Sequence, residues 1–276
     1  YEADKNQVKI MDWKSGKTTN LTKDWDESVT GSVFWSQDSK MIYFNTAFRG
    51  TTQLFSLNPK TAKISQITKG DFDVTDIFAD QKNSLLVTRT DMNHSADLFS
   101  VDLKNGAMKQ VTEVNKENYS KITPSKTELK MVKTTDGKEM GVWFIYPPNF
   151  DPNKKYPTLL YCQGGPQSAL TQFFSTRWNF ALMAANDYIV VAPNRRGMPG
   201  WGTQWNEQIS KDWGGQVMKD YLSATDFAKT LPYVDKDRIG AVGASYGGYS
   251  VFMLAGIHEN RFKTFIAHDG LFDMKS

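Results

Sequence analysis

Along the first 125 residues apolar and polar positions alternate in short runs, and the alternation repeats. Val8 to Thr22, Leu54 to Thr68 and Leu98 to Thr112 share one pattern, with starts 46 and 44 residues apart. In each copy an apolar strand leads to Asp12, Asn58 or Asp102, then to a turn holding Gly16, Ala62 or Gly106, then to an apolar residue and a closing Thr22, Thr68 or Thr112. Strand-like runs on either side of a polar turn predict a β-hairpin. Between the copies lie two further hairpins, Val33 to Asn45 around Gln37–Lys40 and Ile77 to Thr88 around Asp80–Asn83, so each period supplies four strands. One small sheet cannot bury both of its faces without a neighbour on either side. A period of about 45 residues with four strands therefore predicts a β-propeller, here partial, with about three blades. A generic antiparallel sandwich is the alternative, disfavoured because sandwiches need not repeat one turn at one offset. Propellers close with about four to eight blades, so the start of the ring is expected to precede this chain.

From about Glu128 the texture changes to strands alternating with long amphipathic helices, the pattern of an α/β layer fold. Strands Leu129 to Thr134 and Met140 to Tyr146 meet at Asp136-Gly137, and Pro147-Pro148 ends the second. Unbroken apolar runs at Thr158 to Cys162, Tyr188 to Ala192, Arg238 to Gly243 and Phe262 to Ala267 read as a parallel core buried on both faces. Crossover helices are predicted from Ala169 to Ala185, Gly215 to Lys229 and Tyr246 to Ile257. The division expected is thus 1–125, a partial β-propeller, and 126–276, a partial α/β domain.

Composition narrows the function classes. The 276 residues are 39% hydrophobic with a net charge of only +3, so nothing favours nucleic acid or an anionic membrane as partner, and a small or peptidic substrate fits better. No apolar run reaches the length needed to span a bilayer, and the residues from Tyr1 to Val8 lack the apolar centre of a signal peptide. The single cysteine, Cys162, ends an apolar strand and reads as packing. Asn20, Asn93 and Asn118 each open an N-x-[ST] triplet, for which chance is the simpler explanation than a glycan. His94, in a polar stretch without metal-ligand spacing, reads as a solvated turn residue. No metal or cofactor is expected.

The chemistry lies in Ile239-Gly-Ala-Val-Gly-Ala-Ser245-Tyr-Gly-Gly248, an apolar strand running into G-x-S-x-G and then a helix. Such a nucleophile elbow lifts a serine hydroxyl above a sheet, with small residues at Gly243 and Gly247 because the turn is too sharp for side chains. The bare motif is weak; its place between strand and helix gives it weight, against the alternative of a tight structural turn. Ser245 is the candidate nucleophile, and the N–H of Tyr246 the elbow's own oxyanion donor. Gln163-Gly164-Gly165-Pro166 follows the strand ending at Cys162, where α/β hydrolases donate the second oxyanion amide, with Gly165 the candidate. Arg195-Arg196 could clamp a substrate carbonyl or brace a loop, and bracing is the commoner role; Trp201, Trp205 and Trp213 read as packing beneath that loop.

Gly243-Ala-Ser-Tyr-Gly-Gly-Tyr249, Gln163-Gly-Gly-Pro166 after Tyr156-Pro-x-Leu-Leu160, and Asn194-Arg-Arg-Gly197 together resemble the prolyl oligopeptidase family. Within it they resemble the branch of dipeptidyl and acylaminoacyl peptidases, the bacterial dipeptidyl-peptidase 5 type in particular. The resemblance runs from the repeats to Ser276 and implies a β-propeller covering an α/β-hydrolase site, a peptide substrate, and a periplasmic or secreted location; a homodimer is left open. Related enzymes carry tyrosine or histidine where this chain has Gln163, so a tyrosine hydroxyl in the oxyanion hole does not carry over. By alignment from Ser245, the resemblance places Leu271 and Phe272, beside Tyr246, in the pocket for the residue before the scissile bond, with core packing as the alternative.

In α/β hydrolases the Asp and His of the triad follow the serine on later loops, and only 31 residues follow Ser245. His268 and Asp269 come too early, and His258 sits near a helix end, so the acid and base are expected beyond residue 276 and this chain alone is expected to be inactive. The expected activity of the whole protein is that of a serine exopeptidase working through an acyl-enzyme. Acylaminoacyl or oligopeptidase cleavage, a lidded esterase, and a peptide-binding propeller with a degenerate hydrolase half are the alternatives.

Overall fold

The structure is a computed structural model that describes residues 4–81, 83–273 and 275. Strands β1 (Lys9–Met11) and β2 (Thr18–Asn20) form a two-stranded ribbon. A four-stranded meander follows: β3 (Val33–Trp35), β4 (Ile42–Phe48), β5 (Thr51–Leu57) and β6 (Ile64–Gln66). A second contains β7 (Asp73–Gln81), β8 (Ser84–Asp91), β9 (His94–Asp102) and β10 (Met108–Gln110). Lys82, in the predicted Asp80–Asn83 turn, lies outside the described residues. Four strands per period thus appear twice among the described residues, and around the first copy only the ribbon forms.

The repeated hairpin is the same device three times. The N–H groups of Gly16, Ala62 and Gly106 donate to the carbonyls of Asp12, Asn58 and Asp102 at 2.8 Å in each case. The side chains of the same Asp and Asn residues accept backbone N–H groups from Ser15, Lys60 and Lys104, the short-range bonding for which these residues favour turns. Each hairpin then closes on a hydroxyl: Thr22, Thr68 and Thr112 accept the N–H of Val8, Leu54 and Leu98 at 3.0, 2.9 and 2.9 Å. Leu54, Val74, Leu85, Val87 and Val101 fill the space between the two four-stranded sheets. Val8, Leu21, Phe44 and Phe55 join the ribbon to β4 and β5.

After a short helix that the sequence reading missed, α1 (Lys116–Tyr119), the chain forms β11 (Thr127–Lys133), β12 (Glu139–Ile145), β13 (Tyr156–Cys162), α2 (Phe180–Ala185) and β14 (Ile189–Pro193). It continues through α3 (Thr203–Glu207), α4 (Gln216–Thr230), β15 (Val234–Ala244), α5 (Tyr246–Ile257) and β16 (Thr264–His268). The six strands make one sheet in the order β11-β12-β14-β13-β15-β16, parallel from β14 to β16 and antiparallel at β11 and β12. Alternation puts Val142 and Phe144 on the face covered by α4 and α5, and Trp143 and Ile145 on the face covered by α2.

The expected helix from Ala169 is a correction: only Phe180–Ala185 is helical. Residues 170–172 are held extended by outside partners. The Asn194 side chain takes both the N–H and the carbonyl of Leu170, and the Asp73 carboxylate accepts the Thr171 hydroxyl and the Gln172 N–H. Asn179 then caps the late start by accepting the Leu182 N–H.

Several buried polar pins join the two halves. Asp73 also accepts the Thr52 N–H, Trp143 donates to the Gly50 carbonyl at 2.9 Å, and Glu27 accepts the Gly202 N–H at 3.0 Å. Burial pushes the carboxyl of Asp73 up to about 6 and that of Glu27 up to about 7. A carboxyl whose pKa is raised by folding contributes its full stability below its unfolded pKa and loses it as pH rises through the folded one. For Glu27 that window runs from its ordinary 4.5 to about 7. Glu27→Gln keeps an acceptor for Gly202 and removes the titration. The expected result is a melting temperature of the full-length protein that falls less between about pH 5 and about pH 8 than in the unsubstituted protein. An unchanged slope in thermal unfolding would count against a buried Glu27.

Candidate active site

At the end of β15 the backbone turns sharply through Ser245, at φ 57° and ψ −123°, and α5 begins at the next residue. This is a left-handed conformation that costs a non-glycine residue roughly 1–3 kcal/mol and persists only when the surroundings impose it. The surroundings do. A Cβ at Gly247 would lie 2.0 Å from the Cys162 carbonyl oxygen, and one at Gly243 would lie 2.6 Å from the Gly247 carbonyl. The first turn of α5 is therefore pressed onto the ends of β13 and β15, and the Ser245 N–H is held by the His268 carbonyl at 3.0 Å. Ser245 is exposed, and its hydroxyl has no hydrogen-bond partner among the described residues.

The Gln163–Pro166 loop runs along this elbow, with the Gly164 Cβ position 3.6 Å from Ser245 Cβ. Gly165 sits at φ 124°, where side chains are strained. Neither its N–H nor that of Tyr246 has an acceptor among the described residues. Arg195 supports the loop from beneath. Fully buried, it donates to the carbonyls of Pro166 and Gln163 at 2.7 and 3.2 Å and to the Tyr221 hydroxyl, and stacks 4.8 Å from the centre of the Tyr246 ring. Arg196, also buried, forks onto Asp136 and reaches Asp220 and Thr134. Both arginines are buried and spend their guanidinium groups on bracing contacts within the protein. Trp201 and Trp205 are core residues, and Trp213 packs edge-on against Tyr246.

The expected pocket is not brought together as the sequence suggested. The Tyr246 ring is buried because its hydroxyl donates to the Trp213 carbonyl at 2.7 Å, which draws it into the core rather than toward solvent. Leu271 is 40% and Phe272 84% exposed, and the Phe272 ring packs on Phe252 rather than on Tyr246. Cys162 is fully buried, and burial raises its thiol far above the ordinary range.

The three histidines lie elsewhere. His258 accepts the Phe262 N–H and meets Phe265 edge-on, while His268 pairs with Asp269 at 2.9 Å at the surface. His94 is not a merely solvated residue: its ring bonds the Asp91 carboxylate at 2.8 Å, which raises its pKa, and meets Tyr119 edge-on. It lines a recess of about 440 Å³ with Arg89, Asp97 and Glu113. None of the three imidazole rings bonds the Ser245 hydroxyl, and the described residues contain no group of three or more His, Cys, Asp or Glu side chains placed to hold a metal.

The sequence profile of the dipeptidyl peptidase IV (DPP IV) N-terminal region matches residues 2–140, and that of the prolyl oligopeptidase family matches residues 174–276. The chain belongs to the prolyl oligopeptidase family. Dipeptidyl-peptidase 5 of Porphyromonas gingivalis is 50% identical over 275 residues, covering 100% of this chain and 40% of the relative. Dipeptidyl-peptidase 5 of Aspergillus fumigatus is 34% identical, covering 99% and 38%. Among solved structures, an acylaminoacyl peptidase of Pyrococcus horikoshii superposes with a TM-score of 0.83 at 23% identity, over 98% of this chain and 41% of that one. Dipeptidyl peptidase 4 of Porphyromonas gingivalis gives 0.74 at 22%, over 95% and 37%. The chain thus spans about 40% of the length of the curated relatives. The match to the DPP IV N-terminal region covers both four-stranded sheets, and the prolyl oligopeptidase match covers β14 to β16 with the Ser245 elbow. No helix among the described residues is long and apolar enough to cross a membrane.

Two members of this prolyl oligopeptidase framework escaped sequence reasoning. Asp220 lies fully buried on α4 beneath Arg196, and its burial among Val217, Met218, Tyr221 and Ala224 was signalled by a charge on the apolar face of a helix. Asp73 gave no such signal, because its partner Thr171 lies 98 residues away.

Proposed function

We propose that the whole protein is a serine exopeptidase of the dipeptidyl peptidase kind, with Ser245 as its nucleophile. One observation carries this reading: an exposed hydroxyl on a strained bend, with two N–H groups free of acceptors on the segments that flank it. The serine oxygen attacks the scissile carbonyl, and the N–H groups of Tyr246 and Gly165, the latter on the loop opened by Gln163, receive the oxyanion. The base takes the serine proton during the attack and passes it to the leaving amine, and water, giving a proton to the same base, then releases the acyl group and restores the Ser245 hydroxyl. Base and acid come from sequence outside this chain. The two halves divide at 125/126, with the ribbon and two meanders as about three blades of a larger ring and the six strands as a hydrolase sheet that gains further strands. Gly270 packs on Gly248, so Leu271 and Phe272 leave the sheet beside the elbow helix, where they offer apolar contact to the residue before the scissile bond. The peptidase names of the relatives support a peptide substrate, and the proposal includes a periplasmic or secreted location.

The test is a comparison of substrates on the full-length protein. Dipeptidyl anilides are expected to be cleaved at least about 100-fold faster, by kcat/KM, than acylaminoacyl anilides or short-chain esters. Mass spectrometry of a digested hexapeptide is expected to show successive dipeptides. Faster release of single acylated residues would move the protein to the acylaminoacyl branch, and ester preference would reject a peptidase.

A further inference from the structure

The loop beside Ser245 is held from two directions. Arg195 supports Gln163 and Pro166 from beneath. From the side, Gln167 Nε2 donates to the backbone and side-chain oxygens of Asn206 at 3.0 and 3.1 Å. Asn206 belongs to the short helix α3, which has no side-chain cap of its own. The sheet half caps it. The Thr203 N–H donates to the side chain and to the carbonyl of Asp26, at 3.2 and 3.1 Å, and the Thr203 hydroxyl bonds the same carboxylate. The neighbouring Glu27 takes the Gly202 N–H, and the Asn206 N–H returns to the Gly202 carbonyl at 3.2 Å. A Cβ at Gly202, whose φ is +92°, would lie 2.7 Å from an Asp26 carboxylate oxygen, so the acid sits directly on the start of the helix. Trp205 ties the helix to the carbonyls of Asn194 and Arg195, leaving its leading turn to the acids. At the other end, Gly165 and Gln167 share one tight turn, with the backbone nitrogen of Gln167 2.7 Å from the Gly165 Cβ position, so a shift of Gln167 passes along the backbone to Gly165.

We infer that Gln167 is a positioning residue for the reaction at Ser245, and that Asp26, on the propeller side, acts on it through Thr203 and Asn206. The route runs from one half of the molecule toward the candidate oxyanion donor of the other through two hydrogen-bonded contacts, Asp26 with Thr203 and Asn206 with Gln167, joined by the backbone of α3. It rests on the reading of Ser245 as nucleophile and adds to it a means by which the propeller sets the geometry of the hydrolase site. Misplacing a donor by a fraction of an ångström weakens the transition state and leaves ground-state binding nearly intact, so the effect falls on turnover.

In the full-length protein Gln167→Ala is expected to lower kcat about 10-fold with KM changed less than about 2-fold. Asp26→Ala is expected to lower kcat about 5-fold, and the double variant about 10-fold rather than the about 50-fold of independent sites. The rate of fluorophosphonate labelling should fall in the same proportions. Gln167→Glu, which keeps the side-chain length but replaces the donating amide nitrogen with a carboxylate oxygen that faces the two Asn206 acceptors, should lose at least as much as Gln167→Ala and serves if the alanine variant folds poorly. Wild-type labelling and turnover in both Gln167 variants, or losses in the double variant that multiply, would overturn the coupling. Failure of the underlying reading looks different: labelling would then be absent, or would survive Ser245→Ala, whatever stands at positions 26 and 167.

Discussion

Ser245→Ala in the full-length protein is expected to reduce turnover of a dipeptidyl anilide about a million-fold, roughly 8 kcal/mol of lost transition-state stabilisation, and to abolish fluorophosphonate labelling. The size follows from the chemistry rather than from packing. Removing an exposed hydroxyl that bonds nothing among the described residues leaves no cavity and no orphaned partner, so the melting temperature should stay within about 1 °C. If anything it should rise slightly, because alanine bears no hydroxyl that needs a partner. Binding of a product-like peptide should be unchanged within about 3-fold, since the strained bend and its two N–H groups remain. A variant that still turns over at more than about one thousandth of the parental rate would place the nucleophile elsewhere.

The second large effect is structural. Arg196→Ala is expected to cost about 3–5 kcal/mol, the usual penalty for removing one partner of a buried ionic cluster. Its guanidinium touches two carboxylates whose responses to it differ. Asp136, at the surface turn between β11 and β12, has its carboxyl held far below the ordinary range by the Arg196 fork. Asp220, fully buried on α4, is pushed up to about 6 because burial outweighs the same arginine. Without Arg196, Asp220 is left with its bonds from the Arg196 N–H and Gln216, and its pKa rises further. A raised folded pKa means stability present below the ordinary carboxylate pKa and lost as pH climbs through the folded value. The variant should therefore be hurt more at about pH 8 than at about pH 5, and Asp220→Asn in the same background should recover part of the loss at the higher pH. Urea unfolding of the full-length protein, followed by tryptophan fluorescence, reads both. An equal loss at the two pH values, with no recovery, would remove the charge argument and leave only lost packing against Trp205.

What the sequence disclosed and what it hid divide along the range of the interactions. The hairpins were legible because each is closed within 15 residues by an Asp or Asn turn and a threonine hydroxyl, and those residue types stand in the chain at fixed offsets. The elbow was legible for the same reason: Gly243, Ser245 and Gly247 meet the strand and helix on either side of them. The helix expected from Ala169 failed because Asn194 and Asp73, distant in sequence, take the backbone and side-chain groups of residues 170–172. The inward turn of the Tyr246 ring, away from Leu271 and Phe272, was not legible because one carbonyl, that of Trp213, decides it. Local bonding can be read from spacing, whereas a partner a hundred residues away leaves no periodic trace.

The Asp73 pin bears on the order in which the molecule is made. The sheet built from residues 73–110 is complete, strand by strand, long before Thr171 and Gln172 have left the ribosome. Until they arrive, its first strand carries a carboxylate with one of these three donors, the Thr52 N–H, in place. In a nascent chain at that stage water is expected to stand in for the two missing donors, so the last bonds of this strand wait for residues 171 and 172.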